Sequence, residues 1–115
     1  MSTQRASLGA SGERAGARFL LQKGWQIIDQ NLRLLGGEID LLARDGDEIV
    51  LVEVKTRTEV GETDPTANLS PTKLRQLARL AQAVADRYPE ASVRVDALVI
   101  INHPYSIDHY EDILN

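Results

Sequence analysis

Asp40, Glu53 and Lys55 are the residues of this chain whose types and spacing could do chemistry. Asp45-Gly46-Asp47 separates two runs of strand-forming residues, Glu38–Arg44 and Glu48–Arg57, and reads as a hairpin turn. If Gly46-Asp47 forms the loop, Asp40 lies directly opposite Glu53. If Asp45-Gly46 forms it, Asp40 faces Leu51 and Glu53 is one diagonal step away. Strand side chains alternate with period two, so both registers put the two carboxylates on one face. Lys55 joins that face from one strand and Glu38 from the other. Its remaining members, Leu42, Ile49 and Leu51, are apolar, and the opposite face carries Ile39, Leu41, Ala43, Val50, Val52 and Val54. A strand apolar on both sides is covered on both sides. Two carboxylates this close repel unless a proton or a cation lies between them. Lys55 compensates in part. A divalent ion held by Asp40 and Glu53 compensates more fully and leaves Lys55 free.

The rest of the chain supplies the elements that hold this hairpin. Residues 1–7 are small and polar and read as a loose arm, leaving 8–115 as one domain. Residues 8–23 read as a helix with Gly24 as its stop. Trp25–Leu35 reads as a strand broken by Gly36-Gly37. Residues 58–69, with Gly61, Asp64, Pro65 and Asn68, read as a loop. Ser70-Pro71 has the form of an N-cap followed by proline at the first helical position. From there Leu74, Leu77, Ala78, Ala81, Val84, Ala85 and Tyr88 recur at helical spacing, and Pro89 ends the run. Val93–Ile101 is an almost unbroken apolar strand, and Tyr105–Leu114 is a last edge strand or a short helix. The order αβββαβ plus a tail predicts an α/β fold: a single mixed sheet flanked by helices.

Composition narrows the chemistry. With 115 residues, the chain is long enough to bury roughly 65% of its unfolded surface in one core. Hydrophobic residues at 43% and charged residues at 26% are an ordinary globular balance. The absence of cysteine excludes disulfides, thiolate metal sites and cysteine nucleophiles. The two histidines, His103 and His109, both lie near the C-terminus, so a histidine-rich zinc site is not expected. No apolar run approaches the roughly 20 residues of a membrane span, and residues 1–18 lack the apolar core of a secretory signal. A cytoplasmic location is the expectation. A net charge of −4 argues against coating nucleic acid by bulk charge, but not against a local basic groove.

Other charged residues carry two readings each. Glu13 shares a helical stripe with Gly16, Ala17, Leu20 and Gly24. It either faces the sheet or is a first-turn carboxylate worth ~0.3–1 kcal/mol through the helix dipole. Arg33, Arg57, Lys73, Arg75 and Arg79 form a basic rim or ordinary solvated surface. Lys73 stands out because a cation in the first turn of a helix opposes the dipole, which makes a phosphate partner attractive. Asp96, between Val95 and Ala97 in a buried strand, needs a partner, and a structural Arg or Lys is the expectation. Trp25 and Tyr88 are expected in the core.

Taken together, an acid on the first helix, Gly-Glu-Ile-Asp (37–40) opening one strand and Val-Glu-Val-Lys (52–55) on the next resemble the PD-(D/E)XK nuclease pattern. The nearest match is the YraN family of small bacterial proteins, which are similar to archaeal Holliday-junction resolvases. The resemblance runs from Gly12-Glu13 through Pro71–Arg75 to Arg94–Val99. It implies a restriction-endonuclease-like core and a Mg²⁺- or Mn²⁺-dependent endonuclease acting on branched or recombination DNA. By position it implies Asp40, Glu53 and the carbonyl of Val54 as metal ligands, Lys55 beside the attacking water, and Glu13 as an additional acid. Arg57, Lys73 and Arg33 are the expected DNA contacts, and a two-fold dimer suits a symmetric junction. The competing expectation is a protein that binds nucleic acid or a partner on the same fold without cutting.

Overall fold

The computed structural model describes residues 3–59 and 69–115, with side chains for 11–57, 69–102 and 104–115. The element order is α1 (Thr3–Gln22), β1 (Gln26–Leu34), β2 (Gly37–Asp45), β3 (Glu48–Glu59), α2 (Pro71–Arg87), β4 (Ser92–His103) and β5 (Tyr105–Tyr110). One five-stranded sheet runs in the order β1-β2-β3-β4-β5. β3 and β4 are parallel, joined by the crossover that contains α2, and every other neighbouring pair is antiparallel. This is the expected mixed α/β sheet with its helices. One boundary differs from the sequence reading, since α1 begins at Thr3, inside the segment expected as an arm; of the two forms expected for the tail, the edge strand is the one observed. Of the expected 58–69 loop, residues 60–68 lie outside the described residues.

Local signals set the element ends. Gly24, at φ +89, closes α1 in a Schellman motif: the Trp25 N–H donates to the Leu20 carbonyl and the Gly24 N–H to that of Leu21, both at 3.0 Å. Trp25 then packs in the same cluster as Leu20. Ser70 caps α2, its hydroxyl accepting from the Lys73 N–H at 3.0 Å, with Pro71 next in line.

Two cores sandwich the sheet. Beneath α1 lie Ala17, Leu20, Trp25, Leu41, Ala43, Val50, Val52 and Leu98. Beneath α2 lie Ile39, Leu42, Ile49, Leu51, Leu77, Leu80, Val84 and Val95, with Tyr88 packed against them. The α1 contact is close because Gly12 and Gly16 face the sheet. A Cβ on Gly12 would stand 2.6 Å from the Thr56 hydroxyl, and one on Gly16 would stand 3.2 Å from a methyl of Leu98. No helix among the described residues is long and apolar enough to cross a membrane.

Asp96 has the structural role expected of it. It is fully buried and accepts from Arg94 Nε at 2.9 Å and Nη2 at 3.1 Å. It also accepts from the Asp112 N–H at 2.9 Å and lies 2.8 Å from His109 Nε2. Burial works to raise its pKa, but the bonds from His109, Arg94 and Asp112 hold it below the usual carboxylate range. The cluster ties β5 and the C-terminal residues to β4.

Candidate metal and phosphate site

The site lies where the sheet forks. β2 and β3 pair with residue numbers summing to 93, from Asp45↔Glu48 to Leu41↔Val52. The Gly46-Asp47 loop is therefore the one formed, with Gly46 at φ +60 in the first central position, where a II′ turn requires it. Beyond Leu41 the strands separate. β2 continues beside β1 as far as Leu34↔Gly37, and β3 continues beside β4 as far as Glu59↔His103. In the gap, the Val54 N–H donates to Asp40 Oδ2 at 2.8 Å, so a side chain replaces a strand-to-strand bond. Val54 thus enters the site through its amide.

The fork also interrupts the alternation of β2, although Leu42, Ile49 and Leu51 share a face as expected. Ile39 and Leu42 pack in the α2 core, while Leu41 and Ala43 pack in the α1 core. A hypothetical Cβ on Gly37 would also meet α2, through Gln76 and Leu80. Alternation therefore slips by one residue around Asp40. Asp40 and Glu53 remain close enough for the Glu53 carboxylate to act on Asp40. Asp40 also meets Glu13 of α1 and Glu38 of β2, and one carboxylate oxygen from each lies within 4.8 Å of the others. Glu53 is outside this trio and ion-pairs with Lys73 at 3.4 Å, its side chain 12% exposed against 33% for the lysine.

The charge arrangement is uneven. Asp40 has its pKa raised from 3.8 to about 7, chiefly by burial and next by the Glu53 carboxylate. The Val54 hydrogen bond pulls it back, Glu13 pushes it up and Lys73 draws it down. A cleft of about 470 Å³ opens onto the fork, lined by Arg33, Gly36, Gly37, Glu38, Asp40, Lys73 and Gln76. Its charged lining holds two carboxylates, Glu38 and Asp40, and two cations, Arg33 and Lys73.

Of the expected site residues, Glu13, Asp40, Glu53, Arg33 and Lys73 converge on the fork or its cleft. Lys55 and Arg57 lie further along β3, paired with Val99 and Ile101, and are not among the cleft's lining residues. Arg57 Nε is buried without a hydrogen-bond partner among the described residues. Sequence reasoning put Glu38 on the right strand but missed it as a ligand candidate, and it missed Gln76. The signals were present: Glu38 is two residues before Asp40, and Gln76 is one helical turn beyond Lys73.

An all-oxygen trio suits a hard divalent cation. Mg²⁺–oxygen distances of about 2.1 Å put neighbouring octahedral ligands about 3 Å apart, so carboxylates within 4.8 Å of one another must draw together to share the ion. The raised Asp40 pKa marks the same deficit of positive charge.

Comparison with known proteins agrees with this reading of the chain's relationships. The model of the uncharacterised protein family UPF0102 matches residues 12–100, a span holding every residue of the cleft. A UPF0102 protein of Streptomyces griseus is 42% identical over 100 residues, covering 84% of each chain. One of Geobacter sulfurreducens is 40% identical over 95 residues, covering 81% of this chain and 74% of the relative. One of Chlorobium phaeobacteroides is 35% identical over 101 residues, covering 86% and 80%. The chain therefore belongs to the UPF0102 family, the YraN family that its motifs resemble.

Proposed function

We propose that this protein is a divalent-metal-dependent DNA endonuclease, with Mg²⁺ or Mn²⁺ as its ion and branched or otherwise interrupted DNA as its substrate. One observation carries the reading: the Glu13–Glu38–Asp40 trio and the cations Arg33 and Lys73 meet at one fork. Phosphodiester hydrolysis needs both, because negative charge builds on the phosphate as water attacks. A bound divalent ion supplies polarisation of the phosphate and a lowered pKa for a coordinated water.

The protein's own groups divide the work. Glu13, Glu38 and Asp40 hold the ion, and Glu53 stands beside them. The Val54 N–H orients the Asp40 carboxylate. Arg33 and Lys73 hold the DNA backbone. Lys55, two residues beyond Glu53, steadies the attacking water or the developing charge.

A panel of branched, flapped and linear DNAs incubated with Mg²⁺ or Mn²⁺ tests the proposal. Cleavage that needs the ion and is lost in Asp40→Asn and Glu53→Ala is expected. No cleavage of any substrate, or full cleavage by Asp40→Asn, refutes it. A second reading, non-catalytic binding of nucleic acid or a partner, draws on the Glu53–Lys73 pair, which occupies two of the expected functional groups with each other. Tight DNA binding with no metal-dependent cleavage is its signature.

A further inference from the structure

The turn between β1 and β2 is built from an unsuitable residue. Leu34 pairs with Gly37, leaving Leu35-Gly36 as a two-residue loop with φ +51 and +75. Two positive φ values are the I′ pattern, which favours Asn-Gly or Asp-Gly. A leucine there is strained by its Cβ, since left-handed backbone is disfavoured for bulky L-residues. Packing does not repay that strain, because Leu35 is 58% exposed. A strained, solvent-facing apolar residue is evidence from which a functional role can be argued.

Its neighbours supply the role. Arg33, two residues before Leu35, and Gly36, next after it, both line the cleft that holds Glu38, Asp40 and Lys73. A DNA strand with a phosphate on Arg33 and Lys73 would run close to the turn that follows Arg33. Apolar side chains at such tips wedge between base steps and unstack them. At a branch point or strand interruption the step is already open, so the wedge meets less resistance than in an intact duplex.

We infer that Leu35 is a wedge that enters an unstacked base step beside the bound phosphate and so selects branched or interrupted DNA. This rests on the endonuclease reading above and names the residue that sets its substrate class.

The test uses the full chain, with Ca²⁺ replacing Mg²⁺ to limit turnover, and a four-way junction carrying 2-aminopurine at the branch point. A linear duplex of equal length is the control. Leu35→Asn supplies the residue the turn prefers, so its urea midpoint holds or rises and folding is not a confounder. Its junction affinity is expected to fall roughly ten-fold, equivalent to about 1.4 kcal/mol, with linear affinity little changed. The fluorescence rise seen with wild type is lost in Leu35→Asn and kept in Leu35→Met. Equal loss on junction and linear DNA, an unchanged fluorescence rise in Leu35→Asn, or a changed sedimentation state overturns the wedge. Absence of DNA binding by wild type overturns the endonuclease reading with it, and is distinct because it appears before any variant is compared.

Discussion

Asp40→Asn should stabilise the metal-free protein at pH 8 and abolish its response to divalent ions. In the fold the Asp40 carboxyl titrates at about 7 instead of 3.8, because burial and the Glu53 carboxylate disfavour its charge. The folded chain therefore keeps a proton at pH values where the unfolded chain has lost it. The stability from this group is complete below about pH 4 and is lost as pH rises through about 7. At about 1.4 kcal/mol per pH unit, the penalty at pH 8 has a ceiling of about 4 kcal/mol. Asp40 is only half-buried, so solvent screening reduces this to about 2 kcal/mol. Asparagine removes the charge and keeps an oxygen to accept the Val54 N–H. Urea denaturation in chelator at pH 4 and pH 8 measures the effect. The variant's midpoint should exceed that of wild type by roughly 1 M at pH 8, with little difference at pH 4. Saturating Mn²⁺ at about 100 times Kd should raise the wild-type Tm by roughly 10 °C and leave the variant unmoved. A variant no more stable than wild type at pH 8, or equally shifted at both pH values, refutes the charge-crowding argument. An equal metal response in both proteins refutes the metal site.

Three further outcomes follow from the same geometry. Lys55→Ala should change stability by less than about 1 kcal/mol and leave metal binding intact while eliminating cleavage, as denaturation, calorimetric metal titration and a nicking assay will read; marked destabilisation that Mg²⁺ does not rescue assigns Lys55 a structural role instead. Lys73→Ala should weaken DNA binding and reduce the salt slope of log K by about 0.9, because one phosphate contact is lost; an unchanged slope makes Lys73 a partner of Glu53 alone. Asp96→Ala should cost about 3–5 kcal/mol, since Arg94 and His109 lose the carboxylate between them, and hydrogen exchange in β5 should accelerate.

Much of this molecule is determined by short-range patterning. The Ser70-Pro71 cap, the Gly24 stop, the Asp45–Asp47 turn and the apolar runs of β3 and β4 depend on neighbours within a few residues, so they are legible without a fold. They suffice to predict a mixed α/β sheet and to single out Glu13, Asp40, Glu53 and Lys73. The hairpin register stayed open between two loops, because Asp45-Gly46 and Gly46-Asp47 are both acceptable turns. The tertiary structure chose the one that pairs Leu41 with Val52. It also broke the alternation that sequence reasoning extends without interruption. The fork at Asp40 arises where β2 follows β1 and β3 follows β4, a competition between distant strands that no local pattern records. Which acids meet is a consequence of packing. Gly12 and Gly16 let α1 settle on the sheet and bring Glu13 to Glu38 and Asp40. The crossover through α2 brings Lys73 to Glu53, 20 residues away in the chain.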